Sequence, residues 1–390
     1  MQQKSTWHLQ NSLTFWYNHS YSKTSKRFAE QLDSRGNADF SSDLRTRVPL
    51  RQIYAFAFCL RHGLTWSGTN TVNVNITDIE SRFNHFWDTA WRIDGKPGFP
   101  TLTNSQNHVV NAQCLTYDHA FALLALSQLI VLSKNPKALY AKLEMLWDFL
   151  CEEFEHTEIG FRSQRKEQSV LEQNPNMHMF EACLALWEAT RKNIFIEKAE
   201  AILQLFQQTF LDKNRYFIHE FFDVNWKPLT SEEQSIEPGH MLEWVALLNQ
   251  YEKLTNKSSG IDLVRLFEIA LDFGQRPDGL ICNRLNSHGS QVDSKARCWP
   301  QTELIRASLA VQKQGYTPSP LSKSETALAR LEQYYLGQPL PWGWRDSIDE
   351  HGNALNGPIP ASTLYHIVNA FVEFRNFNTL LSEEKKACIF

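Results

Sequence analysis

Several features that are common in other protein classes are missing from this chain of 390 residues. No run of eighteen apolar residues occurs, so no membrane span is expected. The seven cysteines are an odd number without a CxxC pair, which argues against a disulfide framework or a zinc knot and suits a reducing cytoplasm. The first residues carry no apolar core of signal-peptide length, which also predicts a cytoplasmic protein.

Clusters of positive charge are missing as well. The net charge is −4 and the isoelectric point is about 6.4, with lysines and arginines scattered along the chain. A nucleic-acid-binding surface needs a basic patch or stripe, so no nucleic-acid partner is expected.

Aromatic residues, by contrast, are abundant at 12%, and they include twelve tryptophans. Most such rings fill a core, but flat rings also stack on the apolar faces of sugars. The composition is therefore compatible with a large core and with a carbohydrate site.

Strand patterns are sparse, and helical periodicity runs through nearly the whole chain. Clusters of glycine, proline, asparagine and aspartate separate the periodic segments. Twelve helices are predicted, near residues 7–33, 50–62, 78–91, 118–133, 136–154, 177–191, 194–210, 240–255, 261–274, 300–314, 323–336 and 363–377.

Alternate helices begin in a similar way, with polar residues followed by a strongly apolar run. The markers His119, His178, His240, Gln301 and Thr363 are separated by 59, 62, 61 and 62 residues. A fixed period of this length predicts stacked helical hairpins. We expect six hairpins, each an apolar inner helix followed by an amphipathic outer one, closed into an (α/α)6 barrel that forms one catalytic domain over residues 1–390. An open solenoid of helix pairs is the alternative.

Polar side chains converge at one end of this predicted barrel, because parallel inner helices bring their first turns together. His119, His178 and His240 open inner helices, and His366 lies one turn inside the last one. Four histidines at equivalent positions of a repeat favour a shared pocket over coincidence. Long loops precede several of these helices, and such loops often carry functional sites.

Two of these histidines have a carboxylate three residues later, namely Glu181 after His178 and Glu243 after His240. That spacing places both side chains on one helix face, where a carboxylate can orient an imidazole for proton transfer near neutral pH. Arg51 opens another inner helix and could hold a developing oxyanion or a sugar oxygen. The structural alternatives are a helix cap for each histidine and a first-turn acid favoured by the helix dipole.

Metal and nucleotide motifs give little support to a cofactor. The histidines could bind zinc or manganese, but spacings near sixty residues carry no metal signature. Neither GxxxxGK[ST] nor GxGxxG occurs. No metal and no other cofactor is expected.

Six segments resemble the N-acylglucosamine 2-epimerase family. They occur in family order and span residues 51–366. The resemblance implies an (α/α)6 barrel, in agreement with the repeat. The segments are RQIYAF (51–56), YDHAFALLAL (117–126), NPNMHMFEA (174–182), EPGHMLEW (237–244), WPQTEL (299–304) and PASTLYH (360–366).

The family interconverts sugars at C1 and C2, with two histidines as acid/base groups and without a catalytic metal. The resemblance places these catalytic histidines at His240 and His366. It also implies sugar-binding roles for Arg51, Tyr117, His178, Glu243, Trp299 and Gln301, with Asn174 and Asn176 as further candidates for contacts to sugar hydroxyls.

Within the family, the chain is most similar to the mannose isomerase and sulfosugar isomerase group. This implies an aldose–ketose isomerase that converts mannose, or a close free aldose, to fructose through an enediol. Thr230 departs from the group, which often has arginine about ten residues before the GH motif, and this argues against sulfonate binding. A small-molecule sugar is the expected partner, and the protein is expected to be a monomer or a homodimer.

Other functions remain open at this stage. A 2-epimerase acting on mannose, glucose or cellobiose would use the same histidines. A glycoside hydrolase would instead use paired carboxylates. A sugar-binding protein without catalysis is a further alternative. The candidate carboxylates are Asp118, Glu181, Glu243 and Glu303.

Overall fold

The helices of the structure alternate between two concentric layers. A computed structural model describes residues 2–68, 73–91, 95–165, 170–230, 232, 234–312 and 320–387. Twelve α-helices lie in this part of the chain: α1 Gln2–His19, α2 Arg47–Arg61, α3 Ile76–Ala90, α4 Thr116–Leu132, α5 Lys137–Phe154, α6 Gln173–Thr190, α7 Asn193–Leu205, α8 Pro238–Thr255, α9 Leu263–Gly274, α10 Cys298–Gln312, α11 Pro320–Tyr334 and α12 Leu364–Ala387. A π-helical turn, Phe206–Phe210, continues α7, and a 3-10 turn, Ala361–Thr363, leads into α12.

The inner layer is a closed ring of the even-numbered helices. Each of α2, α4, α6, α8 and α10 packs on the next, and α12 returns to α2. These helices are apolar on nearly every side; fourteen of the seventeen residues of α4 are buried. A helix that is hydrophobic all round needs neighbours all round, and the ring supplies them.

The outer helices have one apolar stripe each. In α9, Leu263, Leu266, Phe267 and Ala270 are buried at helical spacing, and Asp262 caps the helix by accepting a hydrogen bond from the backbone N–H of Arg265. Helices α3, α5, α7, α9 and α11 each pack on the inner helix that precedes them. The predicted (α/α)6 barrel is confirmed.

The sixth hairpin differs from the prediction, because the partner of the last inner helix comes from the start of the chain. Helix α1 packs on α12. The predicted first helix, 7–33, was also too long. Helix α1 ends at His19, where the chain turns into a short antiparallel hairpin with Lys26 at positive φ. The apolar residues after this point therefore belong to strands and a loop.

Short antiparallel strands tie the loops at one end of the barrel into a collar. Thirteen occur in the described residues: β1 Tyr21–Ser22, β2 Arg27–Phe28, β3 Gln31–Leu32, β4 Leu44–Arg45, β5 Leu102–Thr103, β6 Val109–Asn111, β7 Leu171–Glu172, β8 Phe221–Phe222, β9 Arg284–Leu285, β10 Gln291–Asp293, β11 Ala296–Arg297, β12 Ser347–Ile348 and β13 Ile359–Pro360.

The collar is continuous around the ring. A residue one or two positions before each inner helix, or before the 3-10 turn that leads into α12, pairs with the loop before the next inner helix, so every helix start is tied to its neighbour. Backbone pairing of this kind fixes the relative positions of the side chains on the first turns. The six links are Arg45 with Leu102, Leu115 with Gln164, Glu172 with Phe221, Ile236 with Leu285, Arg297 with Ser347 and Pro360 with Gln31.

Five of these loops contain the same tight turn. In each, the side-chain oxygen of an aspartate or asparagine accepts hydrogen bonds from the backbone N–H groups two and four residues later, as in an Asx turn. The turn occurs once in each of these five loops, and this recurrence is further evidence that the hairpins are repeats of one unit. Its first residues are Asp33, Asn104, Asp223, Asn286 and Asp349.

No helix in the described ranges combines the length and the apolarity that crossing a membrane requires.

Candidate active site

A cavity of about 220 Å³ lies inside the collar, at the first turns of the inner helices. Eight of the ten residues predicted for the site line it. The structure therefore brings together positions separated by more than 300 residues in the sequence. The lining residues are Arg51, Tyr117, Asn174, His178, Glu237, His240, Glu243, Arg297, Trp299, Ser362, Thr363 and His366.

His240 lies in the first turn of α8, and a carboxylate from another loop holds it in place. Pro238 occupies the start of the helix, where its fixed φ is favourable. Nδ1 of His240 lies 2.9 Å from Oε1 of Glu220. The amide of Gln173 donates to Oε2 of Glu220 at 2.9 Å, and the indole N–H of Trp244 donates to Gln173 at 2.8 Å. This chain of hydrogen bonds fixes the imidazole and leaves Nε2 for the cavity.

The surroundings of His240 favour its protonated form. Burial alone would lower the pKa of His240, but the carboxylates of Glu220 and Glu237 outweigh burial and raise that pKa to about 10. Glu237 lies 3.6 Å from Nδ1. At neutral pH, His240 is therefore an imidazolium that can donate a proton.

His366 is held in the same manner but by a different group. Its Nδ1 lies 2.8 Å from Oε1 of Glu303, and Arg306 donates to Oε2 of Glu303 at 2.8 Å. Arg306 also contacts Glu373 at 2.9 Å. All of His366, Glu303 and Arg306 are buried. Because Nδ1–H donates to Glu303, Nε2 of the neutral imidazole keeps its lone pair toward the cavity.

The pKa of His366 moves in the direction opposite to that of His240. Burial lowers the pKa of His366 well below its usual value, and the nearby positive charge of Arg51 lowers it further. His366 is therefore neutral at neutral pH and can accept a proton. Two titratable groups with pKa values pushed apart form an acid and a base at the same pH.

Trp299 lies between the two histidines. Its ring centroid is 5.3 Å from that of His240 and 5.4 Å from that of His366, both at a 37° tilt. Gly239 allows this placement, since a Cβ there would lie 2.5 and 2.8 Å from the Trp299 ring. A residue with a side chain at position 239 would therefore clash with Trp299, which explains the glycine before His240.

Arg51, Tyr117 and His178 form a second polar group in the cavity. Arg51 donates to the hydroxyl of Tyr117 at 2.5 Å, and its guanidinium carbon lies 4.2 Å from the ring centre of Phe121. Nδ1 of His178 lies 3.1 Å from Oε2 of Glu181. Burial lowers the pKa of His178 despite this carboxylate, so the imidazole is neutral.

Glu243 has a buried oxygen, Oε1, without a hydrogen-bond partner among the described residues. Burial raises the pKa of Glu243 well above its usual value, and the neighbouring carboxylates of Glu303 and Glu181 raise it further. The side chain is therefore a neutral carboxylic acid. Oδ1 of Asn174 is likewise buried without a partner in the described structure. Buried polar atoms of this kind normally have a partner, so both point to a polar ligand.

Asn176 and Gln301, also predicted to contact sugar, do not line the cavity. Asn176 exchanges two hydrogen bonds of 2.8 Å with the backbone of Phe161, and Gln301 does the same with Ile281 at 2.8 and 3.0 Å. Each amide also donates to a second backbone carbonyl. These amide groups have no hydrogen-bonding capacity directed at a ligand. The expectation that they bind sugar is corrected to a structural role in anchoring loops.

His119 has the same anchoring role. Its Nε2 accepts the backbone N–H of Phe99 at 3.0 Å, and its Nδ1 lies 2.6 Å from the carbonyl of Leu115. Burial lowers the pKa of His119 to about 4. His119, Asn176 and Gln301 are each the fourth residue of their helices, whereas the first-turn cavity residues of the same helices lie two positions before or after them, at Tyr117, Asn174, His178 and Trp299. The prediction that four histidines face one pocket is therefore wrong for His119, whereas His178, His240 and His366 do line the cavity.

Sequence reasoning missed the residues that hold His240 and His366 in place. Glu220 and Gln173 were not considered, and Glu303 was considered only as a hydrolase carboxylate. No local motif marks Glu220, which lies in a loop twenty residues before His240. Glu303 did carry a signal, because it follows Trp299 by four residues on the same helix face.

Three groups of histidines and glutamates in the described chain are close enough to hold a metal ion, with donor atoms within 4.8 Å. One of them contains Glu303, which contacts Arg306, and the positive charge of the Arg306 guanidinium would repel a divalent cation. In all three groups a carboxylate already meets Nδ1 of a histidine or lies beside such a pair. The groups are His178–Glu181–Glu243, Glu220–Glu237–His240 and Glu243–Glu303–His366.

Comparison with known proteins identifies relatives of this chain. The family model described as N-acylglucosamine 2-epimerase matches residues 28–370. A protein of Rhizobium meliloti (strain 1021) named mannose-6-phosphate isomerase is 32% identical over 375 residues, which cover 94% of each chain.

Two solved structures have the same fold. The crystal structure of a D-mannose isomerase has a TM-score of 0.81 at 17% identity and covers 95% of this chain and 97% of its own. A cellobiose 2-epimerase of Bacillus thermoamylovorans B4167 has a TM-score of 0.81 at 16% identity, with coverage of 96% and 99%. The family match extends over nearly the whole barrel, and this chain belongs to the N-acylglucosamine 2-epimerase family.

Proposed function

We propose that the protein is an aldose–ketose isomerase that converts mannose, or a close aldose, to the corresponding ketose through an enediol. The observation that carries this proposal is the pair formed by His240 and His366. Both line one cavity beside Trp299, and their pKa values are raised and lowered, respectively. The 32% identical relative named mannose-6-phosphate isomerase supports isomerisation as the outcome.

The reaction begins with the opening of the sugar ring. His240, as an imidazolium, donates its Nε2 proton to the ring oxygen. Neutral His178 accepts the proton of the C1 hydroxyl, and C1 becomes an aldehyde. Both histidines line the cavity, so each can reach the same end of the sugar.

Transfer of hydrogen from C2 to C1 follows. Nε2 of His366 removes the C2 proton, the electron pair forms the C1–C2 double bond, and the C1 oxygen takes the proton from His178. Arg51 stabilises the negative charge that develops on this oxygen. The C2 hydroxyl then gives its proton to His240, C2 becomes a carbonyl, and His366 returns its proton to C1. Every histidine regains its starting state.

The 2-epimerase alternative uses the same enediol but returns a proton to C2 from the opposite face. The glycoside hydrolase alternative is not favoured. Glu181 and Glu303 each contact a histidine, and Asp118 does not line the cavity. An inverting or retaining hydrolase needs two carboxyl groups directed at the glycosidic bond. Of the four predicted carboxylates only Glu243 lines the cavity, and the other carboxylate in its wall, Glu237, lies 3.6 Å from Nδ1 of His240.

Single replacements of His240 and His366 by alanine test the assignment. We expect each variant to convert mannose at least about 100-fold more slowly, the lower range for loss of a general acid or base. Replacement of the exposed His351 by alanine is the matched control and should leave the rate unchanged. A rate near that of the wild type in either active-site variant would refute the assignment.

We also propose a cytoplasmic location, a single catalytic domain, and a monomer or homodimer acting on a sugar. The location is supported by the cysteines at positions 59, 114, 151, 183, 282 and 298, which are unpaired thiols.

A further inference from the structure

A second cavity, of about 290 Å³, lies inside the inner ring at the end of the barrel opposite the candidate active site. All six inner helices contribute to its wall, and they do so beyond their first turns. No described residue lines both cavities. We propose that this rear cavity, whose polar groups include Tyr54, Asn249 and Asn369, is a second ligand site for a neutral polyhydroxylated molecule, either a polyol or a monosaccharide. Its ligand is separate from the sugar that the proposed function converts.

Two buried amide groups in this wall lack hydrogen-bond partners. Asn249 is 8% exposed, and its side chain has no partner among the described residues. Asn369 is 2% exposed, and its Oδ1 accepts a hydrogen bond from the hydroxyl of Tyr54 at 3.0 Å. Nδ2 of Asn369 is buried without a partner in the described structure. Because an unpaired buried amide costs free energy, such groups are normally hydrogen-bonded, and both amides point to a polar ligand.

Both amides lie on helix faces that border the rear cavity. Ala246 and Gln250 line the cavity together with Asn249, and spacings of three and four residues place these side chains on one face of α8. On α12, Asn369 shares such a face with Glu373, which also lines the cavity. Asn249 and Asn369 are therefore directed at the space that a ligand would fill.

The rest of the wall distinguishes a polyol from water. A hydroxyl group donates and accepts hydrogen bonds, so it can satisfy either amide, but a water molecule can do the same. The wall also has a large apolar part, which includes Phe58, Leu124, Leu309 and Phe377. The rings of Tyr54 and Phe58 are stacked, with centroids 5.3 Å apart and a 13° interplanar angle. Burial of C–H groups against this surface is favourable for a polyol or sugar and offers water nothing.

The charges around the rear cavity favour a neutral ligand. Arg61 contacts Glu188 at 3.0 Å, so this pair has no net charge. Arg306 contacts Glu373 at 2.9 Å and, behind the wall, Glu303 at 2.8 Å. The inner helices also direct their carbonyl ends, which carry partial negative charge, to this side of the barrel. An anion is therefore disfavoured, and the two guanidinium groups oppose a cation. The charged residues of the wall are three cations and three carboxylates, namely Arg61, Lys253, Arg306, Glu181, Glu188 and Glu373.

Calorimetric titration of the full-length protein with three matched probes tests the inference. Sorbitol, gluconate and glucamine are six-carbon polyols with charges of zero, minus one and plus one at neutral pH. Asn249→Leu removes the amide at similar size, and Ala246→Met fills part of the cavity and leaves both amides in place. Asn135→Leu, in the exposed loop before α5, is the matched control. Trp299→Ala alters only the active-site cavity.

We expect the wild type to bind sorbitol with a dissociation constant on the order of 1 mM, and more tightly than gluconate or glucamine. Asn249→Leu should weaken binding about two- to tenfold, the usual value of a neutral hydrogen bond, and Ala246→Met should weaken it as well. Asn135→Leu and Trp299→Ala should retain it. Without ligand, Asn249→Leu should be at least as stable in urea as the wild type, because no unpaired amide remains at position 249.

Three results would overturn the inference and leave the proposed function intact, since mannose conversion is measured separately. The first is the absence of sorbitol binding by the wild type, which would mean that the rear cavity holds water only. The second is binding that Trp299→Ala abolishes and Asn249→Leu leaves unchanged, which would place the polyol in the active site. The third is tighter binding of gluconate or glucamine, which would refute the assignment of a neutral ligand.

Discussion

Replacing Glu220 by glutamine removes the charge that keeps His240 protonated and leaves an amide of the same shape. Oε1 of Glu220 lies 2.9 Å from Nδ1 of His240. Burial acts to lower the pKa of His240, and Glu220 is the largest influence that raises it to about 10. Without Glu220, burial opposes only the more distant carboxylates, and the pKa of His240 falls toward its ordinary value.

The pH dependence of activity reports this change. His240 acts as an acid, so kcat/KM falls as the pH rises through its pKa. In the wild type this fall is expected near pH 10, and in Glu220→Gln it is expected at a lower pH. The variant should therefore lose activity at pH 9, by about tenfold for each pH unit by which its alkaline limb lies below pH 9, whereas the difference at pH 6.5 should be small.

The assay is conversion of mannose followed between pH 5.5 and 10.5. Glu237→Gln is the matched control, because Glu237 is farther from Nδ1, at 3.6 Å, and should move the alkaline limb less. An alkaline limb that stays near pH 10 in Glu220→Gln would refute the assignment of His240 as a carboxylate-supported acid.

Three further changes have defined outcomes. Gly239→Ala should displace Trp299 and lower kcat/KM about tenfold or more. The control is Gly357→Ala, because a Cβ at this position meets nothing within 4 Å, and it should have no effect on mannose turnover. Equal rates for the two variants would contradict the proposed packing of Gly239 against Trp299. Asn176→Ala should lower the free energy of unfolding by about 1–3 kcal/mol, because the backbone N–H and C=O of Phe161 lose their hydrogen-bond partners. Unfolding in urea measures this change. A variant of unchanged stability that binds sugar more weakly would contradict the anchoring role of Asn176. Dialysis against EDTA should leave the rate of mannose conversion unchanged. A loss of activity on dialysis that added zinc or manganese restores would instead reveal a metal site.

The architecture was predictable because helix periodicity and a repeat near sixty residues are local and regular signals. The cavity positions of His240 and His366 followed from short motifs at helix starts. The pairing of α1 with α12 was not predictable from neighbouring sequence, because the two helices belong to opposite ends of the chain.

The site was predicted less completely than the fold, for a geometric reason. Adjacent positions on a first turn face different surroundings, so a marker that mixes His119 with His178 and His240 cannot separate loop anchors from cavity residues. Glu220 supports His240 from a separate loop, and only the folded collar brings them to 2.9 Å. The recurring Asx turns were visible in the sequence as aspartates or asparagines in successive loops, and they would have sharpened the repeat.

Product analysis in heavy water tests the central claim most directly. In the proposed mechanism, His366 carries the C2 proton of mannose to C1, and this proton can exchange with solvent while His366 holds it. NMR of wild-type enzyme with mannose in D2O should therefore show fructose as the main product and little glucose, and deuterium at C1 of the fructose would report exchange of the proton held by His366. Glucose deuterated at C2 as the main product would contradict the isomerase assignment and establish the 2-epimerase alternative.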